Sequence, residues 1–164
     1  MHLNKLPLQD KGFTLFEVLI SILIVSVFLA VAMQALLFAV IFKVRTEQRN
    51  EAATWIQKDL EFVKNQAKEY EKNTFPYSIK CIATTSNDGF AASFLYSIGG
   101  TPTTDGPRVL GGKNFVLNRT ADYATSSDPF KLLKLEYSVS PQDGGSAIAT
   151  LSTEVIPDAS LKCP

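Results

Sequence analysis

From Phe13 to Phe42 the chain is apolar at every position except Thr14, Glu17, Ser21, Ser26 and Gln34. A run of roughly 18 or more apolar residues exceeds what a small core buries and points to a membrane-crossing helix. At 1.5 Å per residue this stretch is about 45 Å long as a helix, more than a hydrocarbon core of roughly 30 Å. The excess is absorbed by tilt, or by a first turn that lies at the interface. No Gly or Pro interrupts the stretch, so no kink is expected. Glu17 is its single charge. A carboxylate near the bilayer centre costs roughly 2.5–3.5 kcal/mol, so it needs an interfacial position or a partner.

The rest of the chain is bounded by a few totals. A length of 164 residues suggests one modest domain beyond the membrane segment. Sixteen basic and sixteen acidic residues give no net charge, and so no electrostatic case for nucleic acid. His2 is the only histidine, which removes most His-based catalysis and most zinc ligand sets. Cys81 and Cys163 are too far apart for a CxxC motif. An oxidised pair is expected if they face an oxidising compartment, and two buried free thiols otherwise.

Residues 1–12 are short and polar, with Lys5, Asp10, Lys11 and Gly12. An ordinary secretory signal has a shorter apolar stretch followed by a small-residue cleavage site. Here the small residue, Gly12, comes first. Cleavage there leaves the apolar helix on the mature chain. From Lys43 onward the helical period continues but the composition changes. Ala52, Ile56, Leu60, Val63, Ala67 and Tyr70 form one apolar stripe, widened by Trp55 and Phe62. Lys58, Asp59, Glu61, Lys64, Lys68 and Glu69 are assigned to the solvent face. One helix of roughly sixty residues is expected, stopped at Phe75-Pro76.

Beyond it the period shortens. Tyr77 to Thr84 and Phe90 to Ile98 read as strands separated by an Asn87-Asp88-Gly89 turn. Residues 99–114 read as loop, with a short strand at Phe115 to Asn118. Leu133, Leu135, Tyr137 and Val139 alternate with polar residues within Lys131 to Ser140, the mark of a half-buried strand. Residues 141–145 turn that strand into Ala147 to Ile156 as an antiparallel hairpin. So small a sheet needs a cover, and the stripe on the 52–70 helix supplies one. The expected class is α+β: a long N-terminal helix, membrane half then amphipathic half, packed on a small antiparallel sheet.

Several motifs carry little. Ser, Thr and Asp are plentiful in 84–128, but no His or Cys base accompanies them, so a Ser–His–Asp triad is excluded. Gly112-Lys113-Asn114 lacks the preceding Gly and following Ser or Thr of a phosphate loop. Asp105, Asp122 and Asp128 have no EF-hand spacing. Asn118-Arg119-Thr120 is a three-residue glycosylation match of the kind chance supplies. No metal site is expected.

The string Lys11-Gly12-Phe13-Thr14-Leu15-Phe16-Glu17-Val18-Leu19, opening a long apolar helix, is of another quality. It closely resembles the class III signal of type IV prepilins and type II secretion pseudopilins. The resemblance implies cleavage after Gly12 by a membrane-embedded prepilin peptidase, and N-methylation of Phe13. The methyl donor, S-adenosylmethionine, belongs to the peptidase; no cofactor is expected for this chain, nor any enzymatic activity. It also implies an assembly role for Glu17, paired with the new amine of Phe13 in a neighbouring subunit, where low dielectric strengthens charge-assisted bonds.

The implied organisation is a leader at 1–12, a membrane and filament-core helix at 13–42, an amphipathic helix at 43–73 and a β head at 74–164. The implied protein is a subunit, more similar to minor pilins of the PilV type than to major ones, with a minor pseudopilin of type II secretion as the alternative. Its expected partners are other pilin subunits, the prepilin peptidase, the assembly machinery and the inner membrane. Its expected location is that membrane, with a periplasmic C-terminal domain, and then the filament. A Cys81–Cys163 disulfide would tie the chain's end to the first strand. Many major pilins have a helix-breaking Pro where Gln34 stands. Lys43, Arg45, Arg49 and Lys58 outnumber Lys5 and Lys11, so the positive-inside rule favours the opposite orientation. A membrane-tethered binding domain is the competing class; it predicts no processing at Gly12.

Overall fold

The computed structural model describes residues 14–74 and 78–164. The chain divides into two compact units, one ending at Lys43 and one spanning Val44–Pro164. A single helix, α1, runs Leu15–Glu69. It contains no Gly or Pro, the two residues that most disfavour a helix interior.

In the first unit α1 is apolar and uncovered. An 18-residue window of it is fully unburied, and the helix is long and apolar enough to cross a membrane. Its hydroxyls are satisfied locally: Ser21 donates to the Glu17 carbonyl and Ser26 to the Ile22 carbonyl, each at 2.8 Å. Such back-bonding removes the cost of a lone hydroxyl in hydrocarbon.

In the second unit the same helix buries one stripe. Ala52, Trp55, Ile56, Val63 and Ala67 are buried, with Leu60 and Tyr70 packed partly against the core. Phe62 does not join them and is 52% exposed. At 100° per residue it falls about 20° outside Trp55, which already marks the stripe's edge. The helix ends at Glu69, before Phe75 and Pro76, which lie outside the described residues. Glu71 takes a positive φ of 50° there, the left-handed stop that usually falls to Gly.

Four strands follow as an antiparallel meander in the order β1-β2-β3-β4: Thr103–Leu110, Lys113–Asp122, Leu133–Pro141 and Ala149–Val155. The β3–β4 hairpin lies close to its expected limits. Leu133, Leu135, Tyr137 and Val139 alternate inward on β3 and meet Phe115 and Leu117 from β2. Burying each such side chain contributes about 1.5–3 kcal/mol. The fold is therefore α+β and pilin-like, a long N-terminal helix with a small four-stranded antiparallel sheet.

Three expected elements differ. The expected strand at 77–84 begins outside the described residues, and 78–84 is not a strand: Ile79–Ile82 is a 3-10 turn, capped by the Ser78 hydroxyl, which accepts the Lys80 N–H. Ile79 and Ile82 are three apart, the period of that turn rather than of a strand. Phe90–Ser97 is a helix, α2. Phe90, Phe94 and Ile98 are buried at four-residue spacing, a helical period mistaken for a continuous apolar strand. Gly89 caps α2 because the Phe130 carbonyl would lie 2.6 Å from any Cβ there. Finally, 99–114 contains β1, joined to β2 through Gly111 and Gly112, both with positive φ. That is the glycine-dependent turn a tight hairpin requires.

Candidate functional site

The N-terminal residues implicated by sequence fall on two sides of the described region. Gly12 and Phe13 lie outside it. Glu17 lies in the first turn of α1, exposed. Its N–H points at Thr14, 3.0 Å from the carbonyl and 3.4 Å from Oγ1. Thr14 is thus the cap, and Thr14-x-x-Glu17 spells a capping box, in which the acidic residue returns a bond to the cap's N–H. A carboxylate at this position also favours the positive end of the helix dipole. The position therefore suits a local capping use of Glu17 besides any pairing between chains. The signal was present in the sequence but masked by the more specific string around it.

The unit Val44–Pro164 carries a separate polar cluster. Arg119 is 3% exposed on β2. Its guanidinium donates to Asp59 of α1 at 2.8 Å and to the Ile98 carbonyl at 2.6 Å. Asp59 was assigned to the solvent face; it is half-buried instead, about 40° inside Trp55 within the stripe. Tyr137 faces Arg119 across the β2–β3 register. Burial raises its phenol well above the ordinary 10.0, and the Asp59 carboxylate raises it further, so it is a neutral hydroxyl at any physiological pH. The inward position of Arg119 was readable from Phe115 and Leu117, which share its parity on β2.

Three further contacts fasten α1 to β1. The Trp55 indole N–H donates to Asp105 at 2.8 Å, and Arg108 lies 4.4 Å over the ring. Gln48 donates to the Leu110 carbonyl at 3.2 Å. Between these elements is an open cleft of about 410 Å³ lined by Asn50, Thr54, Lys58, Val109 and the indole. It offers no nucleophile paired with a base.

At the end of α1, Lys80 pairs with Glu71 and lies 5.5 Å from the Tyr70 ring. Burial pushes the Glu71 carboxyl up, but hydrogen bonds from Lys80 and Ser78 and the Lys80 charge hold it below its ordinary value. The structure joins Cys81 to Cys163 with a Cα separation of 5.4 Å. The bond ties the C-terminus to a 3-10 turn, not to a strand.

The remaining candidates are used locally. Asp122 accepts from Thr125 and from the Ala124 N–H, which hold it below the carboxylate range. Asp128 accepts the Phe130 N–H at 3.2 Å. With Asp105 held by Trp55, the three aspartates do not converge, and among the described residues no His, Cys, Asp or Glu group is arranged to hold a metal. Asn118 is bonded to Thr104 within the sheet. Gly112-Lys113-Asn114 forms the β1–β2 turn and the start of β2.

Residues 8–33 match the prokaryotic N-terminal methylation motif. The match supports a place among prepilins and pseudopilins, which are structural subunits, and covers residues 8–12, Glu17 and about two-thirds of the apolar segment. It does not extend to the head. Neither a curated protein nor a solved structure matches the chain.

Proposed function

We propose that this chain is a structural subunit of a type IV pilus, a minor one of PilV type, with no enzymatic activity of its own. The observation that carries the proposal is the methylation motif at 8–33 running into an uninterrupted, uncovered apolar helix. In this reading 1–12 is a leader, 13–42 the membrane and then filament-core segment, 43–73 the amphipathic segment and 74–164 the head.

Prepilin peptidase cleaves after Gly12 on the cytoplasmic side and Phe13 is N-methylated. The head is periplasmic, where the Cys81–Cys163 bond is stable. The assembly machinery then withdraws the subunit from the inner membrane, and apolar surfaces of neighbouring helices replace lipid. Glu17 supplies the carboxylate for the amine of an adjacent Phe13, so neither charge is left alone in a low-dielectric core. A minor pseudopilin of type II secretion shares every one of these steps.

Mass spectrometry of the N-terminus in peptidase-competent cells tests the reading. Loss of residues 1–12 with one methyl group on Phe13 is expected. An intact Met1 would instead indicate a membrane-tethered domain.

A further inference from the structure

The sheet has two edges, and they are built differently. On β1 the register with β2 shifts between Asp105 and Arg108. Pro107 in that bulge has no N–H, and the exposed Asp105 and Arg108 charges lie 3.6 Å apart. Proline, bulges and charge are the usual means of stopping a foreign strand from pairing with an edge. The other edge, β4, has neither proline nor bulge and carries a single charge. All seven residues from Ala149 to Val155 keep an unbroken register with β3. The strand contains no Pro, Lys or Arg, and Glu154 is its only charge. Its outward backbone groups make no hydrogen bond among the described residues.

We propose that the free edge of β4 is a docking surface for an extended strand of a different protein, one that carries Lys or Arg opposite Glu154. The backbone ladder supplies affinity in such strand addition, and side chains supply selectivity. Charge decides the occupant. Lys134, the cross-strand partner of Glu154, gives its ammonium to Glu136 at 2.8 Å, so Glu154 has no direct ion pair among the described residues. Lys134 acts on Glu154 only through its field, and a second copy supplies no closer cation. Two antiparallel β4 strands centred on Ser152 set each Glu154 opposite Thr150, and β1 is interrupted by its bulge. An opposite charge on a neighbouring strand is worth roughly 0.2–1 kcal/mol, enough to bias partner choice without carrying the binding.

The test uses the full chain in detergent micelles and an acetylated, amidated peptide, Val-Lys-Val-Thr-Val-Thr-Val, whose Lys meets Glu154 in antiparallel register. Amide hydrogen exchange of residues 149–155 is the readout. Alternate amides of β4 should slow by about tenfold or more on peptide addition, and the same peptide with Glu replacing Lys should bind several-fold more weakly. Of the consecutive variants Ser152→Pro and Thr153→Pro, one removes an outward N–H and the other a ladder N–H. The former should keep its thermal transition and lose the peptide effect. If both unfold, the Lys and Glu peptides on the native chain decide. Unchanged exchange at saturating peptide overturns the proposal, as does equal binding of both peptides. Protection that grows with protein concentration alone also overturns it, by showing self-pairing.

Discussion

Two residues carry more than their composition class suggests. Glu17 stands at the acidic position of a capping-box sequence and is proposed to meet a neighbouring amine, and these uses separate by substitution. Gln preserves the box but not the charge, whereas Ala removes both. If charge pairing governs, Glu17→Gln and Glu17→Ala both lose their leader normally and both fail to enter filaments, as read by immunoblot of sheared surface fractions. If only the cap matters, Gln assembles as wild type. Arg119 is the head's counterpart. Replacing it with Met leaves Asp59 half-buried without its cation, and breaking such a pair costs about 3–5 kcal/mol. Because Asp59 is 26% exposed, the lower end is expected in urea unfolding followed by Trp55 fluorescence. Asp59→Asn in the same chain should recover part of the loss.

At the scale of elements, the end of α1 is held by a charged contact whose strength depends on pH. Glu71 lies below its ordinary 4.5, so its contribution is complete above that value and is lost as pH falls through the depressed folded value. Lys80 lies above its ordinary 10.5, because its bond to Glu71 and the neighbouring Tyr70 outweigh burial. Its contribution is complete below 10.5 and is lost as pH rises through the folded value. Stability measured against pH should therefore lose part of its acid limb in Glu71→Gln while changing little on the alkaline side near neutrality. The elements themselves were unevenly legible. β3 was plain because Leu133 through Val139 alternate without a break, and α1 because nothing in it opposes a helix. β1 was hidden by Gly106-Pro107, which looks like loop yet suits an edge bulge. The helical α2 was misread because its short apolar run satisfies both periods. Ile79 and Ile82 are three apart, a spacing the strand template lacks and that one pair is too few to mark as helical. In the candidate site, Glu17 was legible from its flanking string, while the Asp59–Arg119 contact depends on two elements sixty residues apart and left only a parity clue.

For the molecule as a whole, two unrelated stabilising schemes coexist. The apolar segment of α1 relies on whatever surrounds it, lipid or other helices, while the head has its own core and a bond across 82 residues of chain. Loss of that bond in a Cys81→Ser, Cys163→Ser double variant should cost the head about 2–5 kcal/mol. The helicity of the apolar segment should persist, so circular dichroism retains its helical bands after Trp55 fluorescence reports an unfolded head.

The Cys81–Cys163 bond closes the chain between them, the four strands included, into a covalent ring. A protease that nicks the turn at 111–112 or the loop at 142–148 opens this ring without producing two molecules. The fragments stay attached to α1 and thus to the anchor until a reductant arrives. A single surface cut of this kind would leave every strand covalently joined to α1.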